Sequence, residues 1–148
     1  MSELNIKPII EWFEQAKPEP EIKDQLTQIG CHFEEAAEMC APLNERKLKG
    51  ELFAMSYNYK SNFADAYRLE NLNKADEIEF LDSLADQIVT AVGVAYMMGF
   101  DIQGALNEVN RSNWSKFVDG KPILNEQGKI AKPDTYSKPE LEGFIKCK

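Results

Sequence analysis

The stretch HFEEAAEMC places three glutamates within five residues, and carboxylates crowded in this way can bind a metal ion or accept a proton. At about 100° per residue on a helix, Glu34, Glu35 and Glu38 fall in one sector of roughly 100°. No Lys or Arg occurs between Lys23 and Arg46, so no cation nearby in the sequence neutralises this acidic patch. A solvated acidic helix face is the simpler interpretation of the motif by itself.

A second acidic stripe lies further along the chain. Glu79, Asp82 and Asp86 share one helical sector of roughly 60°, and no Lys or Arg follows Lys74 for the length of this predicted helix. The segment 88–98 is apolar almost all round, which predicts that it is buried. Asp86 would then lie at the edge of a buried segment, where an unpaired carboxylate is costly, so we expect a cation beside it.

Two acidic stripes on facing helices of a bundle would supply the oxygen ligands that hard divalent cations need, and Mg²⁺ or Mn²⁺ is the natural expectation. A di-iron site would require two Glu-x-x-His motifs, but the only histidine in the sequence, His32, precedes the glutamates. Mg²⁺ keeps some of its waters and shares its coordination shell with substrate phosphates, so a phosphate-binding surface is expected as well.

Donors for phosphate groups occur in the fifth predicted helix and in the tail. The helix stretch NEVNRSNWSKF offers amide and cationic side chains, namely Asn107, Asn110, Arg111, Asn113 and Lys116. The tail adds candidate phosphate or sugar contacts at Lys121, Lys129, Lys132 and Tyr136. An ordinary polar helix end and ordinary surface residues are the alternative interpretation. Trp12 and Phe13 could stack on a base, with core packing as the alternative for at least one of them.

Hydrophobic periodicity predicts the elements that carry these residues. Steps of three and four residues from Ile22 to Cys40 mark an amphipathic helix that stops before Pro42. The other predicted helices cover IIEWFEQA, Glu45 to Glu70, Lys74 to Gly99 and, after an Asp101 cap, Ile102 to Phe117. The tail GKPILNEQGKIAKP contains two β-capable pieces around a glycine turn. This pattern is typical of an all-α fold, a helical bundle of four to five helices with a small C-terminal β-hairpin or extended tail.

Length and composition suit one domain over residues 1–148, with an N-terminal helix in 1–18, the bundle in 19–118, and the hairpin and tail in 119–148. The 25 acidic against 17 basic residues give a net charge of −8, which disfavours nucleic-acid binding. The N-terminus lacks the apolar core of a signal peptide or anchor, and no apolar run reaches the roughly 20 residues of a membrane span. Three cysteines without CxxC spacing favour a reducing, cytoplasmic location.

The order of these motifs resembles a known family. EEAAE, the acidic helix DSLADQIVTAVGVAYMMGFD, and EVNRSNWSKF followed by DGKPI and GKIAKPDTY are similar to the all-α nucleoside triphosphate pyrophosphohydrolases of the MazG and phosphoribosyl-ATP pyrophosphohydrolase superfamily, especially small phage-type members. The resemblance covers about Cys31 to Leu141. It implies Mg²⁺ or Mn²⁺ as cofactor, a nucleoside triphosphate as substrate, and cleavage between the α and β phosphates to release a monophosphate and pyrophosphate.

The resemblance also implies which acids belong to the family motifs. The EExxE motif, implied to be catalytic, is matched by Glu34, Glu35 and Glu38. The later ExxD pair of the family has two alignments in this sequence, and both stay open. Aligning its Asp on Asp86 puts Ser83 at the Glu position, whereas Glu79 with Asp82 satisfies the spacing literally.

A ligand set and a mechanism follow from the resemblance. The implied metal ligands are Glu35, Glu38, Asp82 and Asp86, with Glu79 in reserve. The two aspartates are favoured because they lie closest to the segment expected to be buried. Glu34 would orient the attacking water. Arg111, Lys116 and the amides of the fifth helix would neutralise charge that develops on the leaving pyrophosphate.

Two other functions stay open at this point. One is phosphoribosyl-ATP hydrolysis, which shares the same phosphate chemistry, and the other is a non-catalytic helical interaction module, which gives no reason for the acidic stripes. The base of the substrate is not fixed by the sequence. Some phage relatives act on guanine nucleotides, so a guanine nucleotide is one option, and the host cytoplasm would then be the location.

Apolar and aromatic residues lie on more than one face of the third and fourth predicted helices. They are Phe53, Met55, Tyr57, Tyr59, Phe63 and Tyr67 in the third helix, and Val94, Tyr96, Met97 and Met98 in the fourth. A monomer would expose several of them in a patch larger than soluble monomers usually carry. Together with the resemblance, this predicts a homo-oligomer, a homotetramer in preference to a homodimer, with the site near a subunit boundary.

Overall fold

The computed structural model describes residues 5–62, 65–126 and 128–145. Within these ranges the chain forms six helices: α1 Lys7–Ala16, α2 Ile22–Cys40, α3 Arg46–Ser61, α4 Ala66–Glu70, α5 Lys74–Met98 and α6 Ile102–Trp114. A two-stranded antiparallel sheet, β1 Phe117–Val118 with β2 Lys121–Pro122, follows α6, and a 3-10 turn covers Glu142–Phe144. The predicted mostly helical chain with a small hairpin near the C-terminus is confirmed, while the bundle arrangement stays a prediction.

Local side-chain and backbone signals set the ends of α5 and α6. Asn73 precedes α5, and its side chain accepts hydrogen bonds from two backbone N–H groups of the first turn at 2.8 and 3.0 Å. Gly99 ends α5 in the left-handed conformation with φ of 76°, which glycine adopts without steric cost. Asp101 caps α6, as the sequence predicts, by accepting from the N–H of Gly104 at 2.9 Å.

The third predicted helix, Glu45 to Glu70, is two helices in the structure. α3 ends at Ser61 because Asn62 adopts an extended backbone with φ of −123° and ψ of 101°, and α4 starts only at Ala66. Asn has low helix propensity because its side chain competes for backbone hydrogen bonds, a signal that the surrounding apolar residues obscured. Phe63, one of the residues expected on an exposed face, lies outside the described residues.

The β-hairpin lies nearer to α6 than the sequence predicts. β1 and β2 are joined by Asp119 and Gly120, whose φ angles of 50° and 71° suit a two-residue hairpin turn. An Asp-Gly pair is a stronger hairpin signal than the glycine turn in the tail, around which the hairpin is predicted. Phe117 therefore belongs to β1, not to the end of the last helix. The tail segment predicted to form the hairpin also makes a turn, because the Asn125 N–H donates to the Lys129 carbonyl oxygen at 2.8 Å.

The chain forms two compact units, whose boundaries differ from the subdivision at residues 18 and 118 expected from the sequence. One unit consists of α2, α3, α4 and the segment Leu124–Lys129, and we call it the α2–α3 unit. The other contains α1, α5, α6, the hairpin and the tail from Ile130, and we call it the α5–α6 unit. The expectation of one domain over residues 1–148 stays a prediction.

The α2–α3 unit is held by the close approach of its two long helices. Gly30 of α2 lies against α3, where an added Cβ would stand 2.7 Å from Lys60 Cγ and 2.9 Å from a carbonyl oxygen of α3. Both distances are below van der Waals contact, so this approach requires glycine. Apolar side chains complete the contact: Leu26 is fully buried, and Phe33 packs against Tyr59 with ring centroids 5.6 Å apart.

Aromatic side chains fix α1 within the α5–α6 unit. Trp12 is 7% exposed and stacks on Phe117, with ring centroids 5.5 Å apart and planes 7° from parallel. Phe117 also meets Trp114 edge-on at 5.2 Å. At the other end of the hairpin, Gln15 donates from Nε2 to the Gly120 carbonyl oxygen at 2.5 Å. The first helix of the chain is thereby attached to the hairpin that follows α6.

The exposure of α5 differs from the sequence-based expectation. The segment 88–98 is predicted to be buried, yet Ile88 is 50% exposed, Val94 59% and Met97 82%. Ala95 is the one buried residue of α5, all of which the structure describes. The predicted burial is therefore wrong for the single chain, because the other elements of the α5–α6 unit leave these side chains exposed.

A membrane span requires a helix that is both long and apolar. No single helix among the described residues meets both requirements. α5 and α6 meet them only when taken together, and the two helices are bent by 119° at the break between them.

Candidate functional site

The acidic patch on α2 divides into one paired and two unpaired carboxylates. Glu34 Oε2 accepts hydrogen bonds from the ammonium groups of Lys60 and Lys129, the latter at 2.8 Å. The carboxylates of Glu35 and Glu38 are exposed and have no hydrogen-bond or ion-pair partner among the described residues. No cation nearby in the sequence neutralises Glu34, as the sequence predicts, but two lysines from distant parts of the chain do.

Burial and ion pairing act in opposite directions on Glu34. Burial raises the pKa of Glu34, but the hydrogen bonds from Lys129 and Lys60 outweigh it, so the pKa of this carboxyl lies below its usual value. Burial lowers the pKa of Lys129, and the bond to Glu34 outweighs that effect and raises it. Lys60 is 9% exposed, so its charge depends on the carboxylate for compensation. A carboxylate held ionised in this way accepts a proton less readily than an ordinary glutamate does.

The acids of α5 are exposed to solvent. The carboxylates of Glu79, Asp82 and Asp86 have no hydrogen-bond or ion-pair partner within the described ranges. Asp86 does not lie at the edge of a buried segment, since Ile88 beyond it is half exposed, so that expectation is wrong for the single chain.

Metal ligation by the acids of α2 and α5 stays a prediction. Across 5–62, 65–126 and 128–145, no group of three or more acidic, His or Cys side chains converges to hold a metal ion. The donor type nevertheless fits a hard divalent cation, because unpaired carboxylate oxygens are the ligands that such ions select.

Four of the residues that the sequence selects for phosphate binding lie together in the α5–α6 unit. The Nζ atom of Lys132 is 5.1 Å from the centre of the Tyr136 ring, and Nζ of Lys116 is 5.9 Å from it. Lys116 also donates to Asn113 Oδ1 at 2.8 Å. Lys132 has no carboxylate partner in the described part of the chain. We call these four residues the Tyr136 cluster; it brings two ammonium groups to one aromatic ring, and the Asn113 amide accepts from one of them.

Arg111, by contrast, is engaged by the protein itself. Its Nε and Nη2 atoms donate to the two carboxylate oxygens of Glu108 at 2.8 and 2.7 Å, while Ser137 Oγ and the Lys138 carbonyl oxygen accept at 3.2 and 3.1 Å. The bonds from Arg111, with one from the Glu140 N–H, lower the pKa of Glu108 to about 2. Direct phosphate contact by Arg111 stays a prediction, but its guanidinium already serves other partners.

Two other predicted nucleotide contacts, Asn107 and Trp12, are already engaged within the protein. Asn107 Oδ1 accepts from Gln103 at 3.3 Å, and Asn110 is half-buried on the same helix. Trp12 lies in the core, covered on one ring face by Phe117. Base stacking on Trp12 is therefore wrong for this conformation, and the core-packing alternative describes it. The indole Nε1 is buried without a hydrogen-bond partner in the described ranges.

Three residues around these sites were not singled out from the sequence: Lys60, Glu108 and Ser137. Glu108 and Arg111 stand three residues apart on one helix, a spacing that by itself predicts an ion pair. Lys60 reaches Glu34 across 26 residues, and no local pattern signals such a pair. The contact of Ser137 with α6 likewise depends on the course of the tail.

Comparisons with protein-family models, with curated proteins and with solved structures found no match for this chain. Membership of the superfamily that the motifs resemble therefore stays a proposal.

Proposed function

We propose that the protein is a metal-dependent nucleoside triphosphate pyrophosphohydrolase, which cleaves between the α and β phosphates and releases a nucleoside monophosphate and pyrophosphate. The observation that carries the proposal is the Tyr136 cluster, in which donors from the end of α6 and from the tail meet at one ring. Two ammonium groups and an amide suit a polyphosphate chain, because they offer both charge and hydrogen bonds. In a chain of net charge −8, such a cluster provides a local attraction for anions.

Unpaired carboxylates support a metal-dependent reaction. The residues that would hold Mg²⁺ or Mn²⁺ are Glu35 and Glu38 on α2 and Asp82 and Asp86 on α5, with Glu79 as the reserve ligand. No cation within the described ranges forms an ion pair with them, so their oxygens are available. When bound, such an ion supplies neutralisation of the phosphates and acidification of a coordinated water.

The side chains of the protein have separate roles in the proposed reaction. Lys116 and Lys132 bind the phosphates and stabilise the charge that develops on the leaving pyrophosphate. Glu35 or Glu38 orients the attacking water, because these carboxylates are not engaged by lysines. Glu34 is assigned a different task, the anchoring of its two lysine partners.

Replacement of one cluster lysine tests the proposal. Lys132→Met removes a charge but keeps most of the side-chain length, and we expect the KM for a nucleoside triphosphate to rise about tenfold, as for the loss of one charged hydrogen bond. Lys47→Met is the matched control, since the Lys47 side chain is 91% exposed and pairs with Glu51 on α3. An unchanged KM in Lys132→Met would contradict the assignment of the Tyr136 cluster to the substrate.

A substrate panel separates the alternatives. Ribonucleoside triphosphates, deoxyribonucleoside triphosphates and phosphoribosyl-ATP are each assayed with Mg²⁺, with Mn²⁺ and with a chelator. A guanine-directed enzyme gives its highest kcat/KM with GTP or dGTP. Turnover of phosphoribosyl-ATP alone identifies the related pyrophosphohydrolase activity. Absence of turnover with every substrate and both metals leaves the helical interaction module, which the exposed apolar side chains of α5 favour.

We also propose that the chain functions as a homo-oligomer, a tetramer in preference to a dimer. α5 is a 25-residue helix with one buried side chain, although it carries the exposed apolar residues Leu81, Leu84, Ile88, Val89, Val94 and Met97. Helices of globular proteins draw most of their stability from packing, which the described part of the single chain does not provide for α5. We propose that the same face of α5 in a second copy of the chain covers these side chains, because symmetric self-association is the commonest route to oligomers.

A further inference from the structure

The tail is fastened to α6 by side chains that lie along one face of this helix. Glu108, Arg111 and Ser115 follow one another at three- and four-residue steps, the last at the C-cap position. Glu108 Oε1 accepts from the Glu140 N–H at 2.9 Å, and Ser115 Oγ accepts from the Ser137 N–H at 2.8 Å. The guanidinium of Arg111 completes the attachment through its bonds to Ser137 Oγ and to the next carbonyl oxygen.

These contacts end beside the Tyr136 cluster. Tyr136 directly precedes Ser137, whose N–H and Oγ are both bound to α6. Lys116 follows the end of α6 and Lys132 belongs to the tail, so the two ammonium groups meet at the ring only when the tail holds its place. The attachment of Ser137 therefore determines where the Tyr136 ring stands.

We propose that Glu108 and Arg111 are positioning residues for the Tyr136 cluster, which hold the tail so that Lys116 and Lys132 bind one polyphosphate together. The class of ligand rests on the proposed function, whereas the attachment of the tail does not. Arg111 then acts through the tail rather than by touching phosphate, since its guanidinium is occupied by Glu108 and by two acceptors of the tail.

The sign of one substitution separates positioning from direct contact. Glu108 is an anion and repels phosphate, so without a positioning role Glu108→Ala would leave polyanion binding unchanged or make it tighter. With a positioning role, Glu108→Ala releases Arg111 and the Glu140 N–H, the tail loosens, and binding weakens. Glu108→Gln keeps an acceptor for the Glu140 N–H and therefore retains most of the binding.

Binding of inorganic tripolyphosphate in the presence of EDTA, measured by titration calorimetry on the full chain, is the first readout. We expect Glu108→Ala and Arg111→Ala to weaken binding by about tenfold or more, the scale of loss when a positioned group is displaced. Arg68→Ala is the matched control and should bind like the wild type, because the exposed Arg68 pairs with Asp65 at the same three-residue spacing but binds no residue of the tail.

The second readout needs no ligand. Ring currents shift protons that lie over an aromatic face upfield, so the ε-methylene protons of Lys116 and Lys132 should be shifted in NMR spectra of lysine-labelled protein. Glu108→Ala should move both signals towards ordinary lysine positions, and Arg68→Ala should not. If Glu108→Ala fails to fold, Ser115→Ala removes the 2.8 Å bond to Ser137 and should change the spectrum in the same direction.

Retained upfield shifts and undiminished tripolyphosphate binding in Glu108→Ala would overturn the positioning role. Failure of the wild type itself to bind tripolyphosphate would refute the polyphosphate site and the role of the tail in forming it. The NMR shifts of the lysine protons would still show whether Glu108 holds Tyr136 in place. The two failures are thus distinguishable.

Discussion

Glu34 and Glu38 lie about one turn apart on α2, and their surroundings give them opposite roles. Glu34 compensates the charges of Lys60 and Lys129, whereas the carboxylate of Glu38 is exposed and has no hydrogen-bond or ion-pair partner among the described residues. The EExxE spacing predicts the helix face of both glutamates. It does not predict the partners of Glu34, because these come from 26 and 95 residues further along the chain, beyond any local pattern.

Removal of the Glu38 charge should abolish turnover without harming the fold. In Glu38→Gln we expect no measurable hydrolysis and an unchanged or slightly higher melting temperature, because one of three adjacent negative charges is gone. Mg²⁺ should raise the melting temperature of the wild type but not that of the variant. Glu14→Gln, an exposed position on α1, is the control and should retain activity. An unfolded Glu38→Gln, with no Mg²⁺ effect on the wild type, would show that the acids are structural.

Removal of Glu34 should instead destabilise the protein. Glu34→Ala leaves the ammonium group of Lys60, 10% exposed as a side chain, without its carboxylate, and we expect a loss of about 3 kcal/mol in the free energy of unfolding. Urea titrations of wild type and variant at pH 7 give this value.

The same ion pairs predict a pH dependence. The folded-state pKa of Glu34 lies below its ordinary value of 4.5, so the carboxylate contributes its full stabilisation above that value. The contribution is lost as the pH falls through the lower folded-state pKa, because Glu34 then becomes protonated in both states. The difference in unfolding free energy between wild type and Glu34→Gln should therefore shrink in acid. A difference that is constant between pH 7 and pH 3 would refute the role of these ion pairs.

At the scale of elements, helices follow from hydrophobic periodicity and turns from single residues. The predicted limits of α1, α2 and α5 agree with the structure to within one or two residues. The errors lie where one backbone conformation decides: the extended Asn62 divides a predicted long helix, and positive φ at Asp119 and Gly120 moves the hairpin. Hydrophobic periodicity does not predict the backbone conformation at such positions, so it has to be predicted from the turn residues themselves.

Two glycines in helices should respond oppositely to alanine. Gly30→Ala places a Cβ 2.9 Å from the Ser56 carbonyl oxygen and 2.7 Å from Lys60 Cγ, so α3 must shift, and we expect a loss of about 1–3 kcal/mol. Gly50→Ala meets nothing within 4 Å and should gain about 0.5–1 kcal/mol from the higher helix propensity of alanine. Chemical denaturation of both variants measures the difference. Equal effects would contradict the close approach of α2 and α3.

At the scale of the whole molecule, the apolar side chains of α5 remain exposed in the single chain. The sequence correctly marks α5 as apolar on more than one face, but it cannot say whether its partner is part of the same chain. The structure gives Ala95 as its buried residue and leaves Val94, Tyr96 and Met97 more than half exposed. Self-association would account for both the apolar character of α5 and its exposure in the single chain, because the covering surface would then belong to another copy.

A charge placed on this surface should dissociate the proposed oligomer. We expect light scattering to give a mass of two or four times the 16.8 kDa chain for the wild type, and a monomer for Val94→Glu, since burial of a carboxylate against apolar side chains is costly. Leu43→Glu, at a position 63% exposed outside α5, is the control and should leave the mass unchanged. A wild type that is monomeric at micromolar concentration and fully active would contradict the assembly.

The proposed activity is tested most directly by the identity of the products. Phosphorus NMR follows one nucleoside triphosphate incubated with the protein and Mg²⁺, with a chelator-treated sample beside it. We expect nucleoside monophosphate and pyrophosphate to appear together in equal amounts, and neither to appear with the chelator. Orthophosphate with a nucleoside diphosphate, or no reaction with any nucleotide and either metal, would contradict the proposed cleavage between the α and β phosphates.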